Sequence, residues 1–386
     1  MKQLEIRTRK MNSPGAVWKT ISMFFLLVAA ATSFAAPLPM DCGGGGGKRD
    51  VDVMTVNLYV GGSIDRVMGL DPTDPNYVEN LVAAVTGVYY EILASAPPVR
   101  LQTVANQIAR RMPDFVAVEE ASLIRMQSPG DLIAGGSTPA TNVVYDYLQM
   151  LVADLKARGA HYKVVSTANE IDVELPMMNL QTGTIDDVRL SDREAILERT
   201  DLPPGQLRGS HPQNGNFTNV ISIPTIGLTV KRGWCSVDVS IRGRDFRCIC
   251  AHLEQETVPL LQGAQAQELL AGPAQTTLPV MILGDFNADS LHRDGSFAYD
   301  LMSAAGFDDA WAKTHPRTPT LGLTWGHDEF LADPSTLFDR RIDFVFYRGK
   351  GLMPTEAEVT DLVTGRKQPP LWATDHAALS AGFMLK

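Results

Sequence analysis

Short apolar segments, several of them alternating with polar residues, recur along the chain and predict a protein rich in β-strands. Alternation from Val51 to Tyr59 indicates a strand with one face in a core. Trp234 to Ile241 and Phe246 to His252 flank Arg242-Gly243-Arg244 and predict a hairpin. The other clear strands are predicted at Phe115 to Val118, Tyr162 to Thr167, Val280 to Gly284, Arg341 to Tyr347 and Leu379 to Leu385.

Helical periodicity occurs between these strands, without the regular β-α-β alternation of a doubly wound parallel sheet. The pattern therefore favours an α/β (α+β) protein. No internal repeat or break in composition divides residues 50 to 386, which are expected to form one domain. The predicted helices are Val78 to Ala94, Val99 to Arg111, Tyr145 to Arg158, Leu260 to Leu270 and Ala298 to Ala305.

Two regions carry weaker signals. Leu123 to Thr141 is predicted to be mostly loop. Residues 168 to 230 are predicted to hold several short strands, among them Ala195 to Leu197 and Asn219 to Ile223. Proline and glycine at Pro203 to Gly205, and the polar run His211 to Gly215, indicate a surface loop.

The N-terminus has the pattern of an export signal. Basic residues precede an apolar run from Ile21 to Ala36 that ends in small residues and is short for a membrane span. We expect residues 1 to 36 to be a signal peptide and 37 to 49 a glycine-rich linker, with the domain at 50 to 386. The protein would then be secreted or periplasmic, with no stable membrane span in its mature form. An uncleaved N-terminal anchor and lipidation of Cys42 are the alternatives.

Composition limits the choice of partner. The chain has 386 residues and a formal net charge of −10, so its surface repels the phosphates of nucleic acids at long range. Its four cysteines are too few for a disulfide scaffold. Cys235 could pair with Cys248 or Cys250 in an exported protein, or all three could be small buried residues on strands.

Ionisable or amide side chains follow almost every predicted buried strand. Burying such groups costs free energy unless they pair with one another or bind a metal. Folding requirements alone do not explain so many repetitions, and the pattern indicates an active site. The residues at these strand ends are Asn57, Glu120, His252, Asp285, Asn287, Asp343, Asp375 and His376.

These segments, in this order, resemble the endonuclease/exonuclease/phosphatase superfamily of phosphoesterases. The most specific are GDFN at Gly284 to Asn287, RIDFVF at Arg341 to Phe346 and TDH at Thr374 to His376. PDFVAVEE at Pro113 to Glu120 and AHLE at Ala251 to Glu254 add support. The resemblance implies a four-layer α-β-β-α sandwich with two packed mixed β-sheets.

The resemblance also implies a metal site. Asn57 and Glu120 would lie at the metal, and Asp375 would complete the site directly or through water. Mg²⁺ suits such oxygen ligands, and Mn²⁺ or Ca²⁺ could replace it.

It further implies roles in phosphoryl transfer to water. Asp285 would orient or deprotonate the attacking water, and Asn287 would hold the phosphate and the nucleophile. His376, held by Asp343, would stabilise charge on the phosphoryl group. No serine or cysteine nucleophile is required, because water attacks the phosphorus directly.

His252 would be the counterpart of His376 on the other side of the phosphate. Its expected acidic partner is Glu194, because secreted deoxyribonucleases have a similar Glu-x-x-Leu segment that pairs with this histidine. A carboxylate would fix the tautomer of each imidazole and favour its charged form. Arg341 is a candidate phosphate-binding residue, with a structural salt bridge as the alternative.

Three further residues have open interpretations. Glu119 occupies a position where family members usually have glutamine, and it is expected beside the site or on the surface. His327 is the histidine outside the predicted set with the best chance of approaching the site. Trp372 is expected in the core or at the rim, with substrate stacking as the alternative.

Together these observations predict an exported, divalent-metal-dependent phosphodiesterase. An endonuclease acting on DNA or RNA is the leading hypothesis. A sphingomyelinase-like enzyme for phospholipid head groups, or an enzyme for small phosphate esters, is the alternative. A non-catalytic binding module on the same fold is the alternative from another class. The protein is expected to be a monomer.

Overall fold

The computed structural model describes residues 50–223, 228–335 and 338–386. The predicted signal peptide, the predicted linker and Cys42 lie outside these residues. Among the described residues, no helix combines the length and apolar character needed to cross a membrane.

Sixteen strands occur in the described part of the chain. The first eight are β1 (Val51–Asn57), β2 (Phe115–Glu119), β3 (Leu123–Gln127), β4 (Asn142–Asp146), β5 (Tyr162–Met178), β6 (Ile185–Arg199), β7 (Leu207–Asn216) and β8 (Ile221–Ile223). The others are β9 (Leu228–Val230), β10 (Gly233–Ile241), β11 (Arg244–His252), β12 (Val280–Asp285), β13 (Asp308–Asp309), β14 (Asp343–Arg348), β15 (Leu352–Thr360) and β16 (Ala378–Leu385).

The strands form two large mixed sheets and one small one. The first large sheet has the order β15-β16-β1-β2-β6-β3-β4, with β5 also paired to β6. The second has the order β13-β14-β12-β11-β10-β7, and β8 pairs with β9 alone. Each large sheet contains one parallel pair, β1 with β2 and β11 with β12. The predicted α/β class with two mixed sheets is confirmed.

The two large sheets pack face to face through a shared apolar core. Alternate side chains of β1 and β2, such as Val53 and Phe115, meet side chains of the second sheet such as Phe246, Met281 and Val345. Phe115 and Phe246 contact edge to face, with ring centroids 6.5 Å apart. This contact surface holds the parallel pair of one sheet against the parallel pair of the other.

Helices cover the outer faces of both sheets. Leu101 and Ile108 of α3 pack on the first sheet, and Ala266 and Leu269 of α5 pack on the second. The α-helices are α1 (Asp65–Met68), α2 (Tyr77–Ala94), α3 (Pro97–Arg111), α4 (Tyr147–Ala157), α5 (Pro259–Ala271), α6 (Ala298–Ala304) and α7 (Ala310–Thr314), and Leu132–Ala134 is a short 3₁₀ helix.

Several predicted element assignments are wrong. The expected surface loop at His211 to Gly215 lies in β7, whose polar residues suit an edge strand paired on one side only to β10. The expected short strands before residue 200 are two long strands, β5 and β6. Register shifts near Val164 and Asn169 interrupt their alternation and hide their length. Neither β3, within the expected loop region, nor β15 is predicted from the sequence.

Candidate active site

The carboxyl ends of the two parallel pairs open into a pocket of about 350 Å³. β1 and β2 deliver Asn57 and Glu120, while β11 and β12 deliver His252 and Asp285. Because parallel strands end at the same edge of a sheet, these four side chains meet across the two sheets. The predicted residues that line the pocket are Glu120, His252, Asp285, Asn287, Asp375 and His376.

Three non-glycine residues of this site have left-handed backbone conformations. The φ angles are 56° at Tyr59, 52° at Glu120 and 49° at Asn287. This region costs most L-residues roughly 1–2 kcal/mol, so it recurs where function requires a particular side-chain direction. The sharp turns aim Glu120 and Asn287 into the pocket instead of along their strands.

Glu120 lines one side of the pocket and is held by neighbouring groups. The Val60 N–H donates to Glu120 Oε2 at 2.7 Å, and Asn57 Nδ2 donates to Glu120 Oε1 at 3.2 Å. Asn57 Nδ2 also lies 3.1 Å from Asp285 Oδ2, and Asn57 Oδ1 accepts a hydrogen bond from the Tyr59 N–H at 2.9 Å. Asn57 is therefore buried behind Glu120 and fixes its direction.

Asp375 faces the same space as Glu120. Burial raises the pKa of Asp375, the charge of His376 lowers it, and the carboxylate of Glu120 raises it again. Two partly buried carboxylates that repel each other are a donor set that a hard divalent cation stabilises. The residues present therefore fit the divalent metal that the sequence predicted.

His376 is paired with Asp343 behind the pocket wall. Asp343 Oδ2 lies 2.9 Å from His376 Nδ1, and both side chains are almost completely buried. Burial opposes the imidazolium, but the carboxylates of Asp343, Asp375 and Asp285 outweigh it and raise the pKa well above 6.5. His376 is thus a cation with its Nε2 directed at the pocket.

Asp285 lies between the two histidines. Its Oδ2 is 3.6 Å from His376 Nε2 and 3.6 Å from His252 Nε2. Burial raises its pKa to about 7, with His376 lowering the pKa and Asp343 raising it. The Asn287 N–H donates to Asp285 Oδ1 at 2.8 Å and fixes the carboxylate. A carboxylate with a pKa near neutrality suits a general base.

His252 differs from His376 in its surroundings. Glu194 Oε1 lies 3.4 Å from His252 Nδ1, as the predicted pairing requires, but an Arg232 Nη1 lies 3.1 Å from the same nitrogen. Burial lowers the pKa of His252 well below 6.5, and the charges of Arg232 and His376 lower it further. The guanidinium outweighs Glu194, because it is closer to the imidazole and carries a permanent charge. The expected imidazolium at His252 is therefore wrong, and Arg232 supplies the positive charge on this side.

A sequence model of the Endonuclease/Exonuclease/phosphatase family matches residues 54–376 of the chain. The chain belongs to the endonuclease/exonuclease/phosphatase family. Members of this family hydrolyse phosphate esters and depend on divalent metals, so the protein is a phosphate-ester hydrolase. A comparison with curated proteins finds no match.

Several solved structures share the fold at low sequence identity. A family protein from Leptotrichia buccalis superposes with a TM-score of 0.51 at 14% identity, covering 87% of this chain and 100% of its own. An endonuclease/exonuclease/phosphatase from Beutenbergia cavernae superposes with a TM-score of 0.51 at 17% identity, covering 88% of this chain and 72% of its own. A conserved protein of unknown function from Enterococcus faecalis superposes with a TM-score of 0.50 at 14% identity. The match covers 87% of this chain and 100% of the Enterococcus protein.

Arg341 does not contact the pocket of this family member. Its side chain is buried, and Nη1 lies 2.5 Å from Asp309 Oδ2. The predicted phosphate contact of Arg341 is therefore wrong, and the alternative salt bridge is present. Its neighbour Arg340 lines the pocket instead, stacked 3.9 Å from the centre of the Trp325 ring and paired with Glu256.

Two arginines at the site were missed in the sequence. Arg232 precedes β10 and lines the pocket. Arg100 of α3 is fully buried and donates to the carbonyl oxygens of Leu58 at 2.8 Å, Tyr59 at 3.0 Å and Ala373 at 2.9 Å. It joins the backbone beside Glu120 to the segment before Asp375. The sequence signal for a buried role of Arg100 was its position next to Leu101 on the apolar face of a predicted helix.

Glu119 lies between the two sheets and not on the surface. Its Oε1 accepts hydrogen bonds from Thr55 Oγ1 at 2.8 Å and Cys250 Sγ at 3.3 Å. Burial raises its pKa to about 8, and Asp343 adds to the rise. The raised pKa favours the neutral carboxyl group at pH 7. Cys250, Cys235 and Cys248 are buried free thiols.

His327 lines the pocket but is held by protein groups. Its Nδ1 lies 3.0 Å from Asp333, and its Nε2 lies 3.0 Å from Asp361. The Trp372 ring stacks on it at 4.1 Å, and the indole N–H donates to the Asp333 carbonyl. Trp372 is thus a packing residue, because one face of its ring stacks on His327 and its indole N–H is bound to the Asp333 carbonyl.

Proposed function

We propose that the protein hydrolyses a phosphate ester by direct attack of water, assisted by a bound divalent metal. The observation that carries this proposal is the position of Asp285, with one imidazole nitrogen 3.6 Å away on each side. A carboxylate with a pKa of about 7, placed near the imidazoles of His376 and His252, suits the activation of a water molecule.

The metal would be held by Glu120 and Asp375, with Asn57 oriented behind them. When bound, Mg²⁺ supplies positive charge to the non-bridging oxygens of the phosphoryl group. Mg²⁺ is proposed because both ligands are carboxylates, and Mn²⁺ or Ca²⁺ could replace it.

The other residues act on the phosphate and the water. Asp285 accepts a proton from the attacking water. The His376 imidazolium donates from Nε2 to a non-bridging oxygen as negative charge develops. Asn287 Nδ2 donates to the Leu253 carbonyl at 3.0 Å and lies near His252, where Arg232 adds a second positive charge.

The charge around the pocket favours a small phosphate ester as substrate. Asp65, Glu256 and Glu329 line the rim of the pocket, where Arg66 pairs with Glu329 and Arg340 pairs with Glu256. The phosphates that flank the scissile bond of a nucleic acid would meet this acidic rim and be repelled. A single phosphate group on an uncharged alcohol avoids that repulsion.

The nuclease hypothesis stays a prediction, favoured by one observation. Glu194 lies 3.4 Å from His252, the pairing for which the chain resembles secreted deoxyribonucleases. A direct comparison separates the two substrates. The purified protein with Mg²⁺ is offered supercoiled plasmid, phospholipid vesicles and a panel of sugar and polyol phosphates. Faster release of inorganic phosphate from the small esters supports the proposal. Nicking of plasmid with no turnover of small esters would make it a nuclease.

We also propose that the protein is exported through the predicted signal at residues 1 to 36. The basic residues ahead of the apolar run Ile21 to Ala36 support this proposal. Expression of the whole chain in a Gram-negative host, followed by fractionation and mass measurement, tests it. Mature protein beginning after Ala36 in the periplasm is expected. Full-length protein retained in the cytoplasm would contradict export.

A further inference from the structure

Arg100 of α3 is a fully buried cation whose hydrogen bonds all go to uncharged oxygens. Its Nη1 donates to the carbonyl oxygens of Leu58 at 2.8 Å and Ala373 at 2.9 Å. Its Nη2 donates to the carbonyl oxygen of Tyr59 at 3.0 Å and to the Tyr147 hydroxyl at 3.1 Å. Burying a guanidinium costs free energy that these neutral acceptors offset only in part. A buried arginine in such surroundings therefore calls for a reason beyond packing.

Residues 58–60, directly after β1, are held through three consecutive carbonyl groups. Arg100 binds the first two, and the Tyr147 hydroxyl donates to the third, that of Val60, at 2.7 Å. The chain turns sharply here, because Tyr59 has a φ of 56°. Buried carbonyl groups require hydrogen-bond donors, and at this turn two side chains supply them. Arg100 and Tyr147 therefore fix the path of the backbone as it leaves the sheet.

This turn holds Glu120 in its position at the pocket. The Val60 N–H donates to Glu120 Oε2 at 2.7 Å, a hydrogen bond that the carboxylate charge strengthens. Arg100 thus acts on Glu120 through the backbone that carries this N–H group. The next residue, Gly61, has a φ of +101°, and a Cβ there would lie 3.0 Å from Arg100 Nη2. The glycine lets the chain pass this close to the guanidinium.

The same guanidinium holds the segment that carries Asp375. It binds the carbonyl of Ala373, two residues before that carboxylate. Thr374 Oγ1 adds a hydrogen bond to the Asn57 carbonyl at 2.8 Å, between residues 317 positions apart in the sequence. These contacts join the segment before Asp375 to the segment that holds Glu120. The separation of the two carboxylates therefore depends on the buried cation between their backbones.

We infer that Arg100 is a positioning residue for the proposed metal site and holds Glu120 and Asp375 at the separation that one divalent cation requires. The inference rests on the proposed function of that site. Groups that orient metal ligands commonly set the affinity for the metal. Arginine suits this task better than lysine, because its planar guanidinium directs several N–H groups at fixed angles. The rings of Tyr59 and Tyr147 flank it, each with its centre 5.6 Å from the guanidinium carbon.

Metal affinity tests this inference apart from catalysis. The chelated protein is titrated with Mn²⁺, and the dissociation constant is measured by equilibrium dialysis for each variant. Arg100→Lys keeps the charge, but its single nitrogen cannot donate to all four oxygens. We expect its dissociation constant to rise by about 10–100-fold, the loss typical for groups that orient metal ligands. Tyr147→Phe removes only the hydroxyl and should raise the constant by less.

Arg348→Lys is the matched control. Arg348 also donates to two backbone carbonyls, those of Ala305 at 3.2 Å and Ala274 at 2.7 Å, and lies over the Phe307 ring. It ends β14 on the side away from the pocket, so its replacement should lower stability and leave the Mn²⁺ dissociation constant unchanged. As a second readout, Arg100→Lys should need more Mg²⁺ for half-maximal hydrolysis, and saturating Mg²⁺ should restore most of kcat.

The outcomes separate this inference from the proposed function. If Arg100→Lys is folded by circular dichroism and binds Mn²⁺ as tightly as the wild type, the inference is overturned, and loss of the ion in Glu120→Gln would still support the metal site. A wild type with no ion that Glu120→Gln removes would overturn both. An equal loss of affinity in Arg348→Lys would make the effect of Arg100 a general loss of stability and overturn the inference. If Arg100→Lys does not fold, an unchanged dissociation constant in Tyr147→Phe overturns it.

Discussion

The ion pair between Asp343 and His376 offers a sharp test of the proposed mechanism. Asp343 Oδ2 lies 2.9 Å from His376 Nδ1, and neither side chain is more than 5% exposed. Asp343→Asn keeps the shape of the side chain and removes its charge. The largest favourable contribution to the raised pKa of His376 then disappears, while burial continues to oppose the imidazolium.

The magnitude follows from the role of the proton. A buried charged donor to the reacting group contributes about 2.7–4 kcal/mol to the transition state, or about 10²–10³ in kcat. In the wild type, the raised pKa keeps His376 protonated across neutral pH. In Asp343→Asn, we expect kcat/KM to fall by about 10²–10³ at pH 8 and by less at pH 6, where the unaided imidazole regains its proton. The alkaline limb of the pH profile therefore moves to lower pH.

The contribution of the Asp343–His376 pair to the stability of the fold also falls as the pH rises. Because the folded-state pKa of His376 is raised above its ordinary value of 6.5, the pair stabilises the fold fully below 6.5. That contribution is lost as the pH rises through the folded-state pKa. The free energy of unfolding in urea should therefore be larger for the wild type than for Asp343→Asn, and this difference should shrink at high pH.

The assay is hydrolysis of 4-nitrophenyl phosphate, or of the best ester from the substrate panel, from pH 5 to pH 10 with Mg²⁺. Asp309→Asn is the matched control, because it breaks another buried ion pair, with Arg341, away from the pocket. It should lower stability and leave the alkaline limb in place. An unchanged alkaline limb in folded Asp343→Asn would refute the role assigned to this pair.

Three further predictions follow from single contacts. Gly284→Ala should destabilise the fold by about 3 kcal/mol or more in urea unfolding, because its Cβ would lie 1.9 Å from the Ala251 carbonyl oxygen at a φ of +145°. Gly243→Ala, with φ +77° and no atom within 4 Å, should cost only about 1 kcal/mol; equal losses would contradict the steric argument. Arg341→Met should lower the free energy of unfolding by about 3–5 kcal/mol without changing KM. A raised KM would show instead that Arg341 binds the substrate. Asp285→Asn should lower kcat by about 10²–10⁴ and remove the rise in activity through pH 7, and a retained rise would assign the base elsewhere.

Several site residues could be predicted because they lie directly at the ends of buried strands. Asn57 and Asp285 end β1 and β12, at the edges that the parallel pairs share. Asp343 begins β14, which pairs antiparallel with β12, so it lies opposite Asp285. The pairing of His376 with Asp343 followed from the resemblance, and the structure brings the two within hydrogen-bonding distance.

Other parts of the site depend on long-range geometry that the sequence does not display. Arg232 meets His252 only because it directly precedes Gly233 of β10, which pairs opposite His252 of β11. Arg340 and Arg341 are adjacent, and which of them faces the pocket depends on which face each takes beside β14. The charge of His252 depends on that same Arg232 contact, so it could not be predicted either.

The most direct test of the central claim is phosphate-ester hydrolysis before and after removal of divalent metal. The purified protein is chelated, dialysed and assayed on its best ester, then assayed again after Mg²⁺ is restored, beside a His252→Ala, His376→Ala double variant whose fold is checked by circular dichroism. We predict that activity is lost on chelation, returns with Mg²⁺, and is absent from the folded double variant. Activity that survives chelation, or that persists in the double variant, would contradict a metal-dependent phosphoesterase built on this site.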